Sequence, residues 1–334
     1  MLVRGAGTAL FAEKKCIVTG GAGFIGSHLA RRLVGFGADV EVIDSMIPEY
    51  GGNYANIVDI AESVQFHELD IRHKLAVRDV VDSADYVFNL AGQTSHMDSM
   101  TDPWTDLEIN AYAQLDLLES VRHVCPTARV VFASTRQVYG RPQYLPVDEL
   151  HPVRPVDVNG INKVAGESYH LLYGDVYGLR VSVLRLTNTF GPGMRVKDAR
   201  QTFLGTWIKS AVEGGVFQVF GDGKQRRDFN YVDDVVDAFL LAATTDEAIG
   251  RLLNLGSDEV VELADVAHLL HSLAPDSRFE VVPFPEDRKS IDIGDYFSDW
   301  AQASDVLHWA PQVSLEDGLV RTLEYFQKNK SLYW

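Results

Sequence analysis

Cysteine is scarce in this sequence of 334 residues, and long hydrophobic runs are missing. The two cysteines, Cys16 and Cys125, do not have the spacing of a metal site or of a disulfide framework, and so few thiols are typical of a reducing compartment. No apolar stretch reaches the roughly 18 residues that a membrane span needs, and residues 1–15 lack the apolar centre of a secretory signal. We therefore expect a cytoplasmic protein with no metal ion and no membrane partner.

Basic residues are also in short supply. Lys and Arg number 30 against 47 Asp and Glu, which gives a formal net charge of −17. A chain this acidic is poorly suited to bind nucleic acid or an anionic membrane surface, because like charges repel. An anionic small molecule is still an acceptable ligand, provided that its pocket is locally positive.

The sequence does contain short apolar runs that alternate with amphipathic segments from Lys15 onward. Runs such as CIVTG, DVEVID, DYVFNLAG and ARVVFAST are rich in Val, Ile, Leu and Phe, which is typical of strands covered on both faces. Strands that alternate with helices indicate βαβ units. The sequence thus predicts an α/β fold with a Rossmann-type doubly wound parallel sheet.

The pattern changes after about residue 188, where Gly-, Pro- and charge-rich segments are interleaved with short strands and helices. This change predicts a smaller mixed α/β C-terminal domain over the carboxyl edge of the sheet, where open α/β sheets bind ligands. We expect an N-terminal tail at 1–14 and a Rossmann domain at 15–187, to which 229–257 returns. The substrate-binding domain would comprise 188–228 and 258–334.

Three glycines, Gly20, Gly23 and Gly26, stand between the first strand and the first helix in VTGGAGFIGSHLA. Glycine permits the tight turn, the close approach of a pyrophosphate and helix–strand packing, and the helix N-terminus offers N–H groups to the phosphates. Asp44 follows at the end of the second strand, where a carboxylate takes the ribose hydroxyls. No arginine comes directly after it, so the sequence favours NAD over NADP as the cofactor.

The glycine pattern GGxGFIG resembles that of the extended short-chain dehydrogenases/reductases. The segments NLAGQ, FASTRQVYG, RLTNTFGPG and GDGKQRRDFNYVDDVVDAF resemble further motifs of this family, and the resemblance covers about residues 15 to 328. It is similar to the branch of NAD-dependent nucleotide-sugar epimerases and dehydratases. The resemblance implies bound NAD, a nucleotide-linked sugar as substrate, and a homodimer paired through two long helices that begin near Trp104 and Asn159.

The resemblance also assigns roles to individual positions. The cofactor-contacting positions of the family correspond to Gly20, Gly23, Phe24, Ile25, Gly26, Asp44, Asp70, Ile71, Leu90, Ala91, Gly92, Gln93, Asn110 and Lys163. The substrate-contacting positions correspond to Ser134, Thr135, Asn188, Gln201, Thr202, Phe203, Phe220 and Arg227, with either Arg288 or Lys289 as a C-terminal cation.

Two departures from the family pattern bear on the reaction. Where the family has a catalytic tyrosine four residues before Lys163, this chain has Asn159, and an amide has no usable pKa for proton transfer. The triplet Thr135-Arg136-Gln137 lacks the two acids that 4,6-dehydratases carry after the threonine, and it lacks the glutamate of related decarboxylases. Epimerisation by transient oxidation, with NAD staying bound, is therefore the favoured hypothesis.

The missing tyrosine leaves the route of the proton open. Thr135 can relay a proton, Lys163 can exchange one if its pKa is depressed, and His96 carries the side chain that most often transfers protons near neutral pH. Three alternative functions also stay open: a dehydratase, which is a lyase; a ketoreductase that releases oxidised cofactor; and a catalytically silent protein that binds NAD or a nucleotide sugar.

Overall fold

The computed structural model describes residues 9–200 and 202–334, except for the side chains of residues 287 and 288. The strands in this part are β1 (Lys15–Thr19), β2 (Asp39–Asp44), β3 (Gln65–Glu68), β4 (Tyr86–Asn89), β5 (Arg129–Thr135), β6 (Arg180–Leu186), β7 (Asn188–Phe190), β8 (Val216–Phe220), β9 (Arg226–Tyr231), β10 (Leu252–Asn254), β11 (Val260–Glu262) and β12 (Arg278–Val282). The α-helices are α1 (Phe24–Gly35), α2 (Lys74–Val81), α3 (His96–Thr101), α4 (Pro103–Leu107), α5 (Ala113–Val124), α6 (Val158–Tyr177), α7 (Phe203–Glu213), α8 (Val232–Thr244), α9 (Leu263–Leu273), α10 (Glu286–Lys289), α11 (Ala301–Leu307) and α12 (Leu315–Tyr333).

Seven strands form one parallel sheet in the order β10-β6-β5-β4-β1-β2-β3. Its central strands bury Ile17, Val42 and Val87 almost completely, because helices cover both faces. Helices α1 and α8 pack against each other on one face, and α2, α5 and α6 pack on the other. The predicted Rossmann-type fold is confirmed.

The strand order reverses at β1, which pairs with β2 on one side and with β4 on the other. The chain continues from β2 to β3 on one side of β1 and from β4 to β5 on the other side. A crevice therefore opens between these connections at the carboxyl ends of the strands. This crevice is where the fold itself places a ligand site.

The later part of the chain adds two small sheets. One has the order β11-β9-β7, and the other pairs β12 with β8 in parallel. Strand β10 returns to the large sheet beside β6. The smaller mixed region is thus present, whereas the boundaries given above for the domains stay a prediction.

Residues 1–8 of the predicted N-terminal tail lie outside the described residues. Phe11, within the same tail, is buried, and its ring lies 4.9 Å from that of Tyr86. The core of the large sheet therefore begins before β1. No helix among the described residues has the length and the apolar character to cross a membrane.

Candidate functional site

Two adjoining clefts lie at the carboxyl end of the large sheet. The first cleft is bounded by the turn after β1, the end of β2, the end of β4 and the N-terminal half of α6. The second cleft is bounded by α3, α7, β8 and the segment that leads into β9. Both clefts are lined by His96, Arg136, Gln137, Asn188 and Thr202. A ligand that passes these shared residues would occupy both.

The glycine turn at the floor of the first cleft has the geometry that a phosphate needs. Gly20 has φ +69°, in the left-handed region, and a Cβ on Gly26 would lie 2.2 Å from the carbonyl oxygen of Gly20. Gly23 is the N-cap of α1 and makes no side-chain cap hydrogen bond. The first backbone N–H groups of the helix therefore have no side-chain acceptor from the cap residue. A pyrophosphate fits this turn through these N–H groups.

Asp44 lies at the far end of the same cleft. The backbone N–H groups of Ala22 and Met46 each donate to its carboxylate at 3.0 Å. Burial nevertheless raises the pKa of Asp44 above its ordinary value, against the lowering effect of these bonds. A carboxylate held in this way at the end of β2 fits the hydroxyls of a ribose.

Asp70 and Asn110 are less directly placed than the other predicted cofactor residues. Asp70 lines the first cleft, but Arg72 binds its carboxylate at 2.7 and 3.0 Å. Asn110 lies in a π-helical segment, Glu108–Tyr112, and is not among the residues that line the cleft. Its Nδ2 donates to the Gln93 carbonyl at 2.9 Å, so Asn110 supports the cleft wall from behind. The remaining predicted cofactor residues, Phe24, Ile25, Ile71, Leu90, Ala91, Gly92, Gln93 and Lys163, all line the first cleft.

Lys163 is buried, and its Nζ lies 3.0 Å from the carbonyl oxygen of Ala133 and 4.8 Å from the ring centre of Phe132. Burial lowers its pKa to about 8, although the charges of Asp106 and Glu167 oppose this change. At pH 7 roughly a tenth of such an amine is neutral. Lys163 can therefore both hold a ligand oxygen and exchange a proton near neutral pH.

Asn159 lines the first cleft, but its side-chain amide is bonded within the protein. Its Nδ2 donates to the carbonyl of Gln93 at 2.8 Å and to Oδ2 of Asp106 at 3.0 Å. Asp106 is fully buried, and its other oxygen accepts from Nδ2 of Asn162 at 2.8 Å. Two asparagines of α6 thus satisfy one buried carboxylate of α4.

His96 is placed beside a second buried carboxylate. Its Nδ1 lies 3.0 Å from Oδ2 of Asp157, although the approach is not that of a linear hydrogen bond. Asp157 is the N-cap of α6, where its Oδ1 accepts from the N–H of Gly160 at 2.7 Å. Burial raises the pKa of Asp157, but the contact with His96 and the cap bond outweigh it, so that the net pKa is lowered. The imidazole of His96 therefore contacts the carboxylate of Asp157 and also lines both clefts.

Thr135 and Ser134 close strand β5 at the wall of the first cleft. Thr135 Oγ1 accepts from the N–H of Gln137 at 3.3 Å, so its hydroxyl hydrogen is free to donate. The Ser134 hydroxyl instead donates to Oε1 of Glu167 at 2.5 Å. Thr135 is the better placed of the two to contact a ligand.

The predicted substrate residues fall into three groups. Asn188 and Thr202 line both clefts, and Phe203, Phe220 and Arg227 line the second. Lys289 is largely exposed, pairs with Glu286 at 3.2 Å, and is not among the residues that line either cleft. Gln201 and the side chain of Arg288 lie outside the described residues.

Sequence reasoning missed the roles of two acids, Asp106 and Asp157. Asp157 stands before an amphipathic helix, where aspartate is a common N-cap, and this signal marks a helix start rather than a partner for His96. Nothing near Asp106 in the sequence points to the site. Cys16 and Cys125 are free and buried, and no group of His, Cys, Asp or Glu within the described ranges could hold a metal ion.

Known proteins resemble this chain over almost its full length. The model of the NAD dependent epimerase/dehydratase family matches residues 16–256. A putative UDP-glucose 4-epimerase of Methanocaldococcus jannaschii is 33% identical over 316 residues, which cover 94% of this chain and 98% of the relative. UDP-glucuronic acid decarboxylase 1 of Danio rerio is 32% identical over 329 residues, 95% of this chain and 73% of the relative. The crystal structure of a UDP-glucose 4-epimerase of Thermotoga maritima with UDP-glucose has a TM-score of 0.87 and 30% identity, covering 95% of this chain and 99% of the other.

Proposed function

Because the chain belongs to the NAD-dependent epimerase/dehydratase family, we propose that it is an epimerase that inverts one carbon of a nucleotide-linked sugar by transient oxidation. NAD is the cofactor of this family, and when bound it supplies the acceptor and the donor of a hydride. In this proposal NAD stays bound through the turnover, so that no external oxidant or reductant is consumed.

One observation carries the proposal: Thr135 and Lys163 line the same cleft as the glycine turn and Asp44. Oxidation of a sugar alcohol requires a group that orients the hydroxyl and a group that takes its proton, both beside the site of hydride transfer. Thr135 has a hydroxyl hydrogen to donate, and Lys163 has a pKa of about 8. These two residues supply both requirements without the usual tyrosine.

His96 is the second route that we propose for the proton. It lines both clefts, and the carboxylate of Asp157 stabilises an imidazolium that forms when a proton is taken up. Asn159 takes no part in proton transfer in this hypothesis, since its amide is already bonded to Gln93 and Asp106. Its role is to fix α6, and with it Lys163, against the cleft.

We further propose that two copies of the chain form a dimer through α6 and the neighbouring segment of α4 and α5. These helices pack together, and this region carries exposed apolar side chains on α4, on the π-helical segment before α5 and on α6, namely Trp104, Tyr112, Ile161, Leu172 and Val176. Large exposed apolar side chains grouped on packed helices are typical of a protein interface. A cytoplasmic location is proposed as well, which the two free cysteines support.

The test is incubation of the purified protein with a panel of nucleotide sugars in D2O, followed by mass spectrometry and NMR. A new stereoisomer without deuterium is the expected product, because a hydride that leaves and returns to the same carbon does not exchange with water. Deuterium uptake, or a loss of about 18 daltons as water, would replace this proposal by a dehydratase or by an epimerase that passes through a carbanion.

A catalytically silent binding protein is the second candidate. It is favoured by the same bonds of Asn159, which leave no phenol or other acid at that point of the cleft. In the D2O experiment this candidate predicts tight binding of one nucleotide sugar with no change in its NMR spectrum.

A further inference from the structure

Two guanidinium groups, those of Arg136 and Arg227, lie at the second cleft, and neither has a close counter-ion among the described residues. Nη2 of Arg136 donates to Oδ1 of Asn188 at 2.9 Å, whereas its Nη1 is buried and has no hydrogen-bond partner among the described residues. Arg227 donates to the backbone carbonyl of Gly294 and to Oε1 of Gln225. Within the described part of the chain, no carboxylate reaches ion-pair distance of either group.

The two arginines also act on each other. Burial, with the charge of Arg136 as the second cause, lowers the pKa of Arg227 to about 10, although the charges of Asp292, Asp228 and Asp295 oppose this change. Burial likewise lowers the pKa of Arg136. A desolvated cation that faces another cation is unfavourable unless an anion comes between them, so this end of the site is built to receive negative charge.

Among the described residues, the acids nearby supply that charge only from beyond ion-pair distance. Asp98 is paired with Arg200, a third cation of the second cleft, at 3.1 Å, so its charge is already compensated. Burial raises the pKa of Asp228, and its carboxylate is bonded to the hydroxyl of Thr187 and to the N–H of Ser298, so it acts on the two arginines only from a longer distance. Asp292 accepts from Nε2 of Gln225 at 3.0 Å and attracts the two arginines only from a longer distance.

The two arginines differ in position. Arg227 lines only the second cleft, whereas Arg136 directly follows Thr135 and lines both clefts. A nucleotide sugar with its reacting carbon at Thr135 therefore brings its sugar ring, and not only its diphosphate, close to Arg136. A diphosphate alone would leave the cation that is nearest to the sugar only partly compensated.

We propose that Arg136 binds a carboxylate on the sugar itself, so that the substrate class is a nucleotide-linked uronic acid rather than a neutral hexose. This inference rests on the proposed nucleotide-sugar function. A planar guanidinium pairs with a carboxylate through two parallel bonds, and a site that holds such a charge discriminates against a ligand that lacks it. The inference assigns Arg136 the role of a specificity-determining residue.

The test is calorimetric titration of the NAD-loaded protein with UDP, UDP-glucose and UDP-glucuronic acid, and with the corresponding dTDP compounds. We expect the uronic acid to bind about 10- to 100-fold more tightly than the glucose compound, the range of one charge-assisted hydrogen-bonded pair. Arg136→Gln should abolish this preference and leave the affinity for the free nucleotide within about threefold. Arg227→Gln should weaken all three ligands alike and is the matched control.

The other outcomes separate a failure of this inference from a failure of the proposed function. If Arg136→Gln weakens UDP, UDP-glucose and UDP-glucuronic acid equally, the guanidinium serves the diphosphate and the inference is wrong. If the native protein binds UDP-glucose as tightly as the uronic acid, the inference fails while the proposed function stands. If neither nucleotide series binds, the proposed function fails first. Retained NAD and an unchanged melting temperature in the variants exclude misfolding. Arg136→Lys keeps the charge but loses the paired geometry, so it should retain part of the preference for the uronic acid.

Discussion

Replacing Asn159 by tyrosine would restore the family's acid/base residue in name, and we expect this change to harm the protein rather than improve it. The Asn159 side chain is buried, and its amide donates to Gln93 and Asp106. A tyrosine at this position cannot donate both bonds, because a phenol has a single O–H, and its ring would extend into the first cleft, which Asn159 lines.

The expected cost follows from these contacts. Removing the donor to Oδ2 of the buried Asp106 costs about 1.5–3 kcal/mol, because the acceptor is a carboxylate with no access to water. We expect Asn159→Tyr to lower the free energy of unfolding by about 1.5–3 kcal/mol, a sizeable part of the stability of a typical domain.

Urea denaturation of the native protein and of Asn159→Tyr measures this difference, with turnover of the nucleotide sugar followed in parallel. Asn162→Ala is the matched control, since Asn162 bonds to the other oxygen of Asp106 but does not line either cleft. It should lose stability and keep more of its activity. Adding Asp106→Asn to Asn159→Tyr should recover part of the lost stability, because the stranded carboxylate becomes neutral.

An Asn159→Tyr protein that unfolds at the same urea concentration and turns over faster would refute this reasoning. Asn159 would then be a defect of the catalytic site and not a support of it.

Three further predictions concern proton transfer and assembly. The pKa of Lys163, lowered by burial to about 8, lies below its ordinary 10.5, so the charged amine destabilises the folded state below pH 8 and this penalty vanishes by pH 10.5. Lys163→Met should therefore be more stable than the native protein by up to about 3 kcal/mol at pH 7, and urea titrations should find this advantage shrinking from pH 8 to 10.5; a constant difference would contradict it. Asp157→Asn keeps the helix cap, since asparagine caps as well as aspartate, but removes the anion beside His96, so turnover should fall about 10- to 100-fold. His96→Gln should cause the same loss, and kinetic losses that multiply in the double variant would show that the two residues act separately. Ile161→Glu should convert the dimer to monomer in light scattering, whereas Val281→Glu, equally exposed on β12, should not; a native protein that is already monomeric would end the dimer proposal.

The sequence shows Asn159 and Arg136 as departures from the family pattern, but it does not show what either residue does. Their meaning depends on what surrounds them, because an asparagine can orient a ligand or tie a helix, and an arginine can face solvent or stand unpaired in a cleft. The contact of Asn159 with Asp106 joins residues 53 positions apart, and Arg136 stacks at 5.2 Å on the ring of Tyr296, far away in the sequence. Local pattern carries no information on such pairs.

The sequence by itself determined the parallel sheet, its helices, the glycine turn and Asp44 at the end of β2. These features follow from hydrophobic periodicity and from the backbone freedom of glycine, which act within a few residues of the chain. Only the tertiary structure decided that His96 stands against Asp157, that Asn159 is bonded to Asp106, and that Arg136 has no carboxylate within reach among the described residues. These contacts arise where α3, α4, β5 and α6 converge on the cleft, and the packing of distant segments alone brings such groups together.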